Sequence, residues 1–310
     1  MDAARDRRRG IAHSPFLLVN PRSGDESPSA RELTDAAERL GVEVHTLQRG
    51  DDAERLALDA AERGAPALGI AGGDGSLAPV AAAALEADRP FVPVPFGTRN
   101  HFARDAGFAI DDPIGALAAF AEGQERRVDL GWVCGRAFLN NVSLGVYAQL
   151  VHDPAHETKN RLVAAARMIP AAIGVSRRPL DLAFDLEGEH VHHRALVLLV
   201  ANGGYELSPG GFGQRERLDE GCLHAYVVKA GGRGTILGLL WRAVFDRIEQ
   251  APNWAEHAAP AFTVESKHAR LHAAIDGEPV LLERPLDFEV RPRALRLLVP
   301  PGSRDSAADA

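Results

Sequence analysis

Short apolar runs alternate with longer amphipathic stretches in the first part of the chain. The apolar runs read FLLVN, VEVHTL, ALGIA and FVPVP, and helix-like stretches lie between them at 29–40, 51–63 and 77–87. Strands that alternate with helices of ten or more residues are typical of βαβ units on a parallel sheet. The pattern therefore predicts a doubly wound α/β domain, which we place at residues 14–126.

The pattern changes after residue 126. Segments such as LDLAFDLEG, HVHHRALVLLV, CLHAYVVKA and PLDFEVRP are strand-like and are joined by turns rich in Gly, Pro and Asp. Helical spacing interrupts them at 159–175 and 234–250. We therefore predict a second, largely antiparallel β domain at 127–300, and the sequence leaves open whether its last strands return to the first domain. Residues 1–13 and 301–310 are predicted to be disordered tails.

Composition narrows the class of protein. A chain of 310 residues with 45% hydrophobic and 25% charged residues is ordinary for a soluble globular protein of two domains. The net charge of -8 argues against nucleic acid as a partner, because phosphate binding depends on clustered Lys and Arg. No run of about 18 apolar residues predicts a transmembrane segment, and the N-terminus has no apolar signal core.

The two cysteines, Cys134 and Cys222, lack the CxxC spacing of a zinc ribbon and do not form a disulfide framework. A cytoplasmic location is therefore expected.

Three polar, glycine-bearing loops follow predicted strands of the first domain. They read NPRSG, GGDGS and FGTRN. Parallel sheets bind ligands at the carboxyl ends of their strands, and a glycine-rich turn that opens a helix suits a phosphate group. Ser76 is the expected N-cap of the helix after the second loop. Neither a Walker A pattern nor a clean GxGxxG is present. These local features alone fit a phosphate site and an ordinary strand-to-helix turn equally well.

Seven segments in series add a family resemblance. They read LLVNPRSG, IAGGDGSL, PVPFGTRNHFARDAG, RRVDLGWVCGRAFLNNVSLGVYA, LVANGGYELSPGG, LDEGCLHAYVV and AAIDGEPV. In this order they resemble the diacylglycerol kinase catalytic-domain family, and most of all its bacterial soluble lipid kinases, which are relatives of sphingosine kinases. The family shares its glycine-aspartate turn with NAD kinases.

The resemblance implies a kinase that uses ATP and Mg²⁺ to phosphorylate a lipid hydroxyl. It also implies an N-terminal nucleotide domain, a C-terminal β-sandwich and an active site in the cleft between them. Asp74 would act on the triphosphate, either through Mg²⁺ or by positioning. The residues that match the nucleotide loops of the family are Asn20, Pro21, Arg22, Ser23, Gly72, Gly73, Asp74, Gly75, Ser76, Gly97, Thr98 and Asn100.

The resemblance assigns further roles in the second domain. Asp276 would be the general base that takes the proton of the attacking hydroxyl, and Glu278 would orient it or hold metal. The local pattern at Asp276 by itself favours only a type I′ hairpin turn. Asp219 and Glu220, in LDEG, would hold a structural Mg²⁺, although a solvated acidic turn explains them equally well. Asn202 is a candidate contact for nucleotide or substrate.

One departure from the family keeps other functions open. Ala78 and Pro79 stand where many relatives have Asn and Glu. The alternatives are an NAD kinase-like enzyme that phosphorylates a ribose hydroxyl and a non-catalytic regulator that binds lipid or nucleotide. For the lipid kinase, the partner is a lipid substrate at a membrane surface, which suits a peripheral position at the inner membrane. The sequence leaves a homodimer open.

Overall fold

The structure, a computed structural model, describes residues 14–24, 28–145, 179–186, 189–206, 214–231 and 253–303. The backbone forms two compact units. The first runs to Arg126 and includes Leu295–Ser303, and the second comprises Arg127–Ala294. The predicted helices at 159–175 and 234–250 lie outside the described residues. Within the ranges given, no helix combines the length and the apolar character needed to cross a membrane.

The first unit contains a parallel sheet, whose strands in spatial order are β2 Glu43–Thr46, β1 Phe16–Val19, β3 Leu68–Gly72 and β4 Phe91–Pro95. The end of the last strand, β15 Leu286–Val299, lies beside β4. This arrangement confirms the predicted α/β fold. Its elements are β1 Phe16–Val19, α1 Ala30–Arg39, β2 Glu43–Thr46, α2 Ala53–Glu62, β3 Leu68–Gly72, α3 Asp74–Glu86, β4 Phe91–Pro95, α4 His101–Asp105, α5 Pro113–Ala116 and α6 Ala119–Glu122.

Local sequence explains these elements. All residues of β1, β3 and β4 are buried, which is typical of the central strands of a parallel sheet. Helix α1 begins with a capping box, in which the side chain of Ser29 accepts the N–H of Glu32 and Glu32 accepts the N–H of Ser29. Asp52 caps α2 in the same way by accepting the N–H of Arg55.

The prediction that Ser76 caps α3 is wrong. The helix begins at Asp74, and Gly73 is the N-cap. Ser76 lies one turn further on, where its N–H donates to the carbonyl of Gly73 and its hydroxyl accepts from Asn20 Nδ2. A glycine needs no side-chain bond to start a helix, so the helix starts earlier than the serine suggests. Pro79 lies inside α3 and offers no N–H to the carbonyl of Gly75.

The second unit is built from strands that pair antiparallel, as predicted. The strand order is β14-β13-β7-β9-β8-β12-β15, and β10 joins β9 to β11. Phe138, Phe184, Phe262 and Phe288 lie in its core. The strands are β5 Gln124–Val133, which starts in the first unit, β6 Arg136–Phe138, β7 Asn141–Gly145, β8 Leu180–Leu186, β9 Glu189–Asn202, β10 Leu223–Lys229, β11 Trp254–Ala259, β12 Ala261–Ser266, β13 Arg270–Ile275, β14 Glu278–Glu283 and β15 Leu286–Val299.

Candidate active site

Three loops meet at the carboxyl edge of the parallel sheet in the first unit. Loop 1 is 20–24, loop 2 is 72–76 and loop 3 is 96–101. The side chain of Asn20 donates to the hydroxyl of Ser76 at 3.0 Å, which joins loop 1 to loop 2. Within loop 1, Pro21 and Arg22 are exposed, and Ser23 donates its N–H to the carbonyl of Asn20. The structure therefore brings together the three loops that the sequence singled out.

Loops 2 and 3 are in backbone contact. A Cβ added to Gly97 would overlap Gly73 Cα, whereas one added to Gly73 would lie 3.8 Å from Gly97 Cα, which is an ordinary distance. Gly97 is therefore required for the close approach of the two backbones. Gly73 has no side-chain cap, so the positive end of the dipole of α3 lies beside this glycine pair. Backbone N–H groups at such a helix start suit a phosphate group.

Asp74 connects loop 2 to loop 3. Its Oδ2 accepts the N–H of His101 and its Oδ1 accepts the N–H of Phe102, both at 3.0 Å. These N–H groups open α4, whose own N-cap residue, Asn100, makes no side-chain capping bond. Asp74 thus caps a helix 27 residues further along the chain. The structure therefore gives Asp74 a part in positioning loop 3, and its action on the triphosphate stays a prediction.

Loop 3 carries polar atoms that point into the interior. Asn100 has a left-handed backbone, with φ of 49°, and its Nδ2 donates to the carbonyl of Gly97 at 2.7 Å. Asn100 Oδ1 and His101 Nδ1 are buried and make no hydrogen bond to any residue that the structure describes. Burial lowers the pKa of His101, a shift that the nearby Asp74 carboxylate opposes. Thr98, by contrast, is exposed.

In the second unit, Asp276 is a buried carboxylate held by backbone. It accepts the successive N–H groups of Leu139, Asn140 and Asn141 at 2.8–2.9 Å. Three N–H donors compensate for the loss of water around the charge. Asp276 and Gly277 have φ of 47° and 89° and connect β13 to β14, which confirms the predicted two-residue hairpin turn.

The residue after this turn, Glu278, opens β14 and is exposed. Its exposure is compatible with either of the roles that the resemblance gives it.

A buried arginine supports the N–H groups around Asp276. Arg215 is 4% exposed, and it donates to the carbonyls of Leu139 and Asn202 and to Oδ1 of Asn140 at 2.7–2.9 Å. Asn202 donates to the carbonyls of Asp129 and Leu139, while its Oδ1 is buried without a partner among the described residues. The side chain of Asn202 therefore links two segments of the second unit, which is a structural role.

The LDEG turn is held by charges of its own chain. The Asp219 carboxylate accepts from Arg217 Nε at 3.1 Å and from Arg293 Nη2 at 3.0 Å, and the bond from Arg217 lowers its pKa most. Glu220 Oε2 accepts the N–H of Gly204 at 2.9 Å. An Mg²⁺ ion needs a nearly octahedral set of oxygen ligands, whereas each oxygen of Asp219 already faces a guanidinium group. The turn as it stands does not fit Mg²⁺, and the metal role of Asp219 and Glu220 stays a prediction.

Known proteins resemble this chain in sequence and in fold. The family model described as the diacylglycerol kinase catalytic domain matches residues 14–133, which include all three loops. A Pseudomonas fluorescens protein described as a probable lipid kinase, YegS-like, is 34% identical over an alignment of 276 residues, and the alignment covers 84% of this chain and 87% of the relative. The chain belongs to the diacylglycerol kinase catalytic-domain family.

Other members of this family extend the match over nearly the whole chain. A Cronobacter sakazakii protein with the same description is 31% identical over an alignment of 303 residues, and the alignment covers 92% of this chain and 96% of the relative. Two Bacillus anthracis crystal structures, both described as diacylglycerol kinases and the first of them provisionally, superpose with TM-scores of 0.74 and 0.66. They cover 94% of this chain and 97% and 98% of theirs at 19% and 16% identity, so they show that the fold is shared.

Two buried charged residues of the second unit, Asp129 and Arg215, were not singled out from the sequence. Asp129 lies in β5, is 3% exposed, and accepts the N–H groups of Gly221 at 2.6 Å and Arg293 at 2.7 Å. Burial raises its pKa, and the two N–H groups oppose the shift. A carboxylate between the apolar residues Val128 and Leu130 was the available signal. Arg215 gave no such signal, because it stands among other charged residues in QRERLDE.

Proposed function

We propose that the protein is a lipid kinase that transfers the γ-phosphate of ATP to a hydroxyl group of a diacylglycerol-like lipid, with Mg²⁺ as the accompanying ion. The observation that carries the proposal is the packing of Gly97 on Gly73 beside the start of α3, in a chain of this family. A lipid acceptor places the reaction at a membrane surface.

The first unit is assigned to nucleotide binding. Its glycine pair leaves room for an anionic group against the backbone at the start of α3, which fits a triphosphate. The buried, unpartnered Oδ1 of Asn100 fits a donor such as an ion-bound water or an amino group of the nucleotide. Mg-ATP, when bound, supplies the transferable phosphoryl group and neutralises its charge. In this assignment Asp74 fixes loop 3 against loop 2.

The second unit is assigned to proton transfer. Asp276 would accept the proton of the lipid hydroxyl as that oxygen attacks phosphorus. The N–H groups of Leu139, Asn140 and Asn141 hold the carboxylate in one orientation, and Arg215 holds the carbonyl of Leu139 and the side chain of Asn140. A base that is fixed in this way needs little reorganisation when its substrate arrives.

The test is transfer of labelled phosphate from ATP in the presence of Mg²⁺ to a panel of diacylglycerol, sphingoid base, other lipid alcohols and NAD. We expect label in the lipid fraction. Label in NAD alone would overturn the proposal in favour of an NAD kinase. Binding of ATP or lipid without any transfer would instead identify a regulator.

Asp276→Asn tests the base. Asparagine tolerates the left-handed backbone at 276, but its amide nitrogen replaces one oxygen that faces N–H donors, so we expect a loss of about 1–3 kcal/mol in stability. Transfer should disappear while ATP binding and the folded state persist below the melting temperature. Asp111→Asn, on an exposed turn, is the matched control and should retain transfer. Retained transfer in folded Asp276→Asn would exclude the base role.

A further inference from the structure

One side-chain cluster of the second unit combines sulfur, nitrogen and oxygen ligand atoms. Cys222 Sγ, His224 Nε2 and Glu220 Oε2 all lie within 4.8 Å of one another. Cys222 directly precedes β10 and His224 is the second residue of the strand, so the two side chains, two positions apart, lie on the same side of the extended backbone. Glu220 reaches the same point from the preceding turn. The geometry points to a binding site for a divalent transition-metal ion of the zinc class, formed by these three side chains.

The distances suit a tetrahedral ion. Bonds of about 2.3 Å to sulfur and about 2.0–2.2 Å to nitrogen and oxygen place tetrahedral ligand atoms about 3.3–3.6 Å apart. The structure has 3.4 Å between Cys222 Sγ and His224 Nε2, 3.2 Å between His224 Nε2 and Glu220 Oε2, and 3.9 Å between Cys222 Sγ and Glu220 Oε2. Each differs from the tetrahedral range by no more than about 0.3 Å. The three atoms therefore already lie close to the positions that ligands of a tetrahedral ion occupy.

A fourth side chain orients the imidazole. Glu256, on the neighbouring strand β11, lies 3.0 Å from His224 Nδ1 through its Oε1. A carboxylate that accepts the Nδ1 proton leaves Nε2 as the metal-binding nitrogen, which is the usual arrangement behind histidine ligands. Gly204 also donates its N–H to Glu220 Oε2, which orients that carboxylate toward the imidazole.

The donor set identifies the class of ion. Thiolate, imidazole and carboxylate together suit Zn²⁺ and its neighbours, whereas Mg²⁺ and Ca²⁺ prefer oxygen ligands alone. Binding would release to solvent the thiol proton of Cys222 and any proton that His224 Nε2 carries. Three protein ligands leave a fourth position for water or another group.

The proposed metal site also contacts the loop that follows β9. Gly204 packs against the imidazole, since an added Cβ would lie 3.2 Å from His224 Cε1. The next residue, Tyr205, accepts a hydrogen bond from Asn141, which in turn donates to Asp276. A bound ion would hold Glu220 and His224 together and so stiffen the loop beside this hydrogen-bond chain.

Cobalt is the probe for the site, because a thiolate ligand gives Co²⁺ an intense near-ultraviolet charge-transfer absorption. The full chain, stripped with a chelator, is titrated with Co²⁺ and then with Zn²⁺. We expect the absorption to saturate at a single ion per chain and to vanish when Zn²⁺ displaces cobalt. Cys222→Ser should abolish the absorption, and Cys134→Ser, which removes the other free thiol, should retain it. Glu256→Gln should weaken binding by about 10- to 100-fold without removing the absorption.

Absence of the absorption in the wild-type chain, or its persistence in Cys222→Ser, would overturn the site. A second measurement needs no variant: Zn²⁺ should protect Cys222 from alkylation and leave Cys134 reactive. Equal alkylation of both thiols with and without Zn²⁺ would overturn the proposal even if Cys222→Ser did not fold.

Discussion

Replacement of Asp74 tests whether this residue acts by capping α4. Asp74→Ala removes the acceptors of the His101 and Phe102 N–H groups. Loss of an N-cap side chain costs about 0.5–2 kcal/mol, and each hydrogen bond to a charged group contributes about 1.5–3 kcal/mol. Because Phe102 is buried, water replaces the lost acceptor poorly. We expect opening of α4 to become easier by about 2–4 kcal/mol.

Hydrogen exchange measures this opening at the two amides themselves. Since about 1.4 kcal/mol corresponds to a factor of ten, exchange at His101 and Phe102 should accelerate about 30- to 1000-fold in Asp74→Ala. Asp74→Asn keeps one acceptor and should accelerate exchange by a smaller factor, about 5- to 30-fold. The graded order of wild type, Asn and Ala follows from capping alone.

Asp52→Ala is the matched control. It removes the cap of α2, where Asp52 accepts the N–H of Arg55 at 3.1 Å, and leaves the three loops intact. Exchange should accelerate at the start of α2 and stay unchanged at His101 and Phe102. Unchanged exchange at those two amides in Asp74→Ala would refute the capping role. If both Asp74 variants then lost ATP binding equally, Asp74 would act on the nucleotide directly.

Three further predictions concern packing, buried charge and pH. Gly97→Ala should lower the melting temperature more than Gly73→Ala, because only the former forces a Cβ into backbone; equal melting temperatures would contradict the packing. Arg215→Met should lower the free energy of unfolding of the second unit, measured with denaturant, by about 3–5 kcal/mol, because buried oxygens such as the Asn202 carbonyl lose their charged donor. A decrease below about 1 kcal/mol would contradict this role of Arg215. Burial lowers the pKa of His101, so the imidazole binds a proton more weakly in the folded chain than in the unfolded chain. The free energy of unfolding therefore falls as the pH drops from about 6.5, the ordinary pKa of histidine, toward the lowered pKa of the folded chain. Unfolding between pH 8 and 5 should show a shallower fall in His101→Gln than in the wild type, and an identical fall would exclude this contribution.

Strands β1 to β4 and helices α1 to α3 of the first unit were predictable because they carry local signals, whereas the short helices α4, α5 and α6 were not predicted. The buried strands are continuous apolar runs, and Ser29 with Glu32 marks the start of α1. The start of α3 was misplaced because a glycine N-cap leaves no polar signature, while Ser76 offered one that the structure uses for a bond to Asn20.

The candidate site was predictable only as a set of loops. Sequence order and strand ends indicated that loops 1 to 3 share one edge of the sheet, which the contacts between Gly73 and Gly97 bear out. The partners of each carboxylate were not predictable, because Asp74 binds backbone N–H groups 27 and 28 positions away and Asp276 binds backbone N–H groups 135–137 positions away. Any residue except proline offers a backbone N–H, so a sequence motif can identify the carboxylate but not the N–H groups that bind it.

In the LDEG turn, too, the partner of a carboxylate could not be predicted from the local sequence. A half-buried Asp219 needs positive charge nearby, and a metal ion or a guanidinium group can supply it. Arg293 supplies it from 74 positions further along the chain, while its own N–H donates to Asp129. Arg293 adopts a φ of 49°, a backbone conformation that a non-glycine residue enters only when its surroundings favour it. The two hydrogen bonds hold Arg293 in that conformation, so the charge of Asp219 is balanced within the chain. Addition of Mg²⁺ to the chain after it has been stripped with a chelator should therefore leave the stability of the turn around Asp219 unchanged.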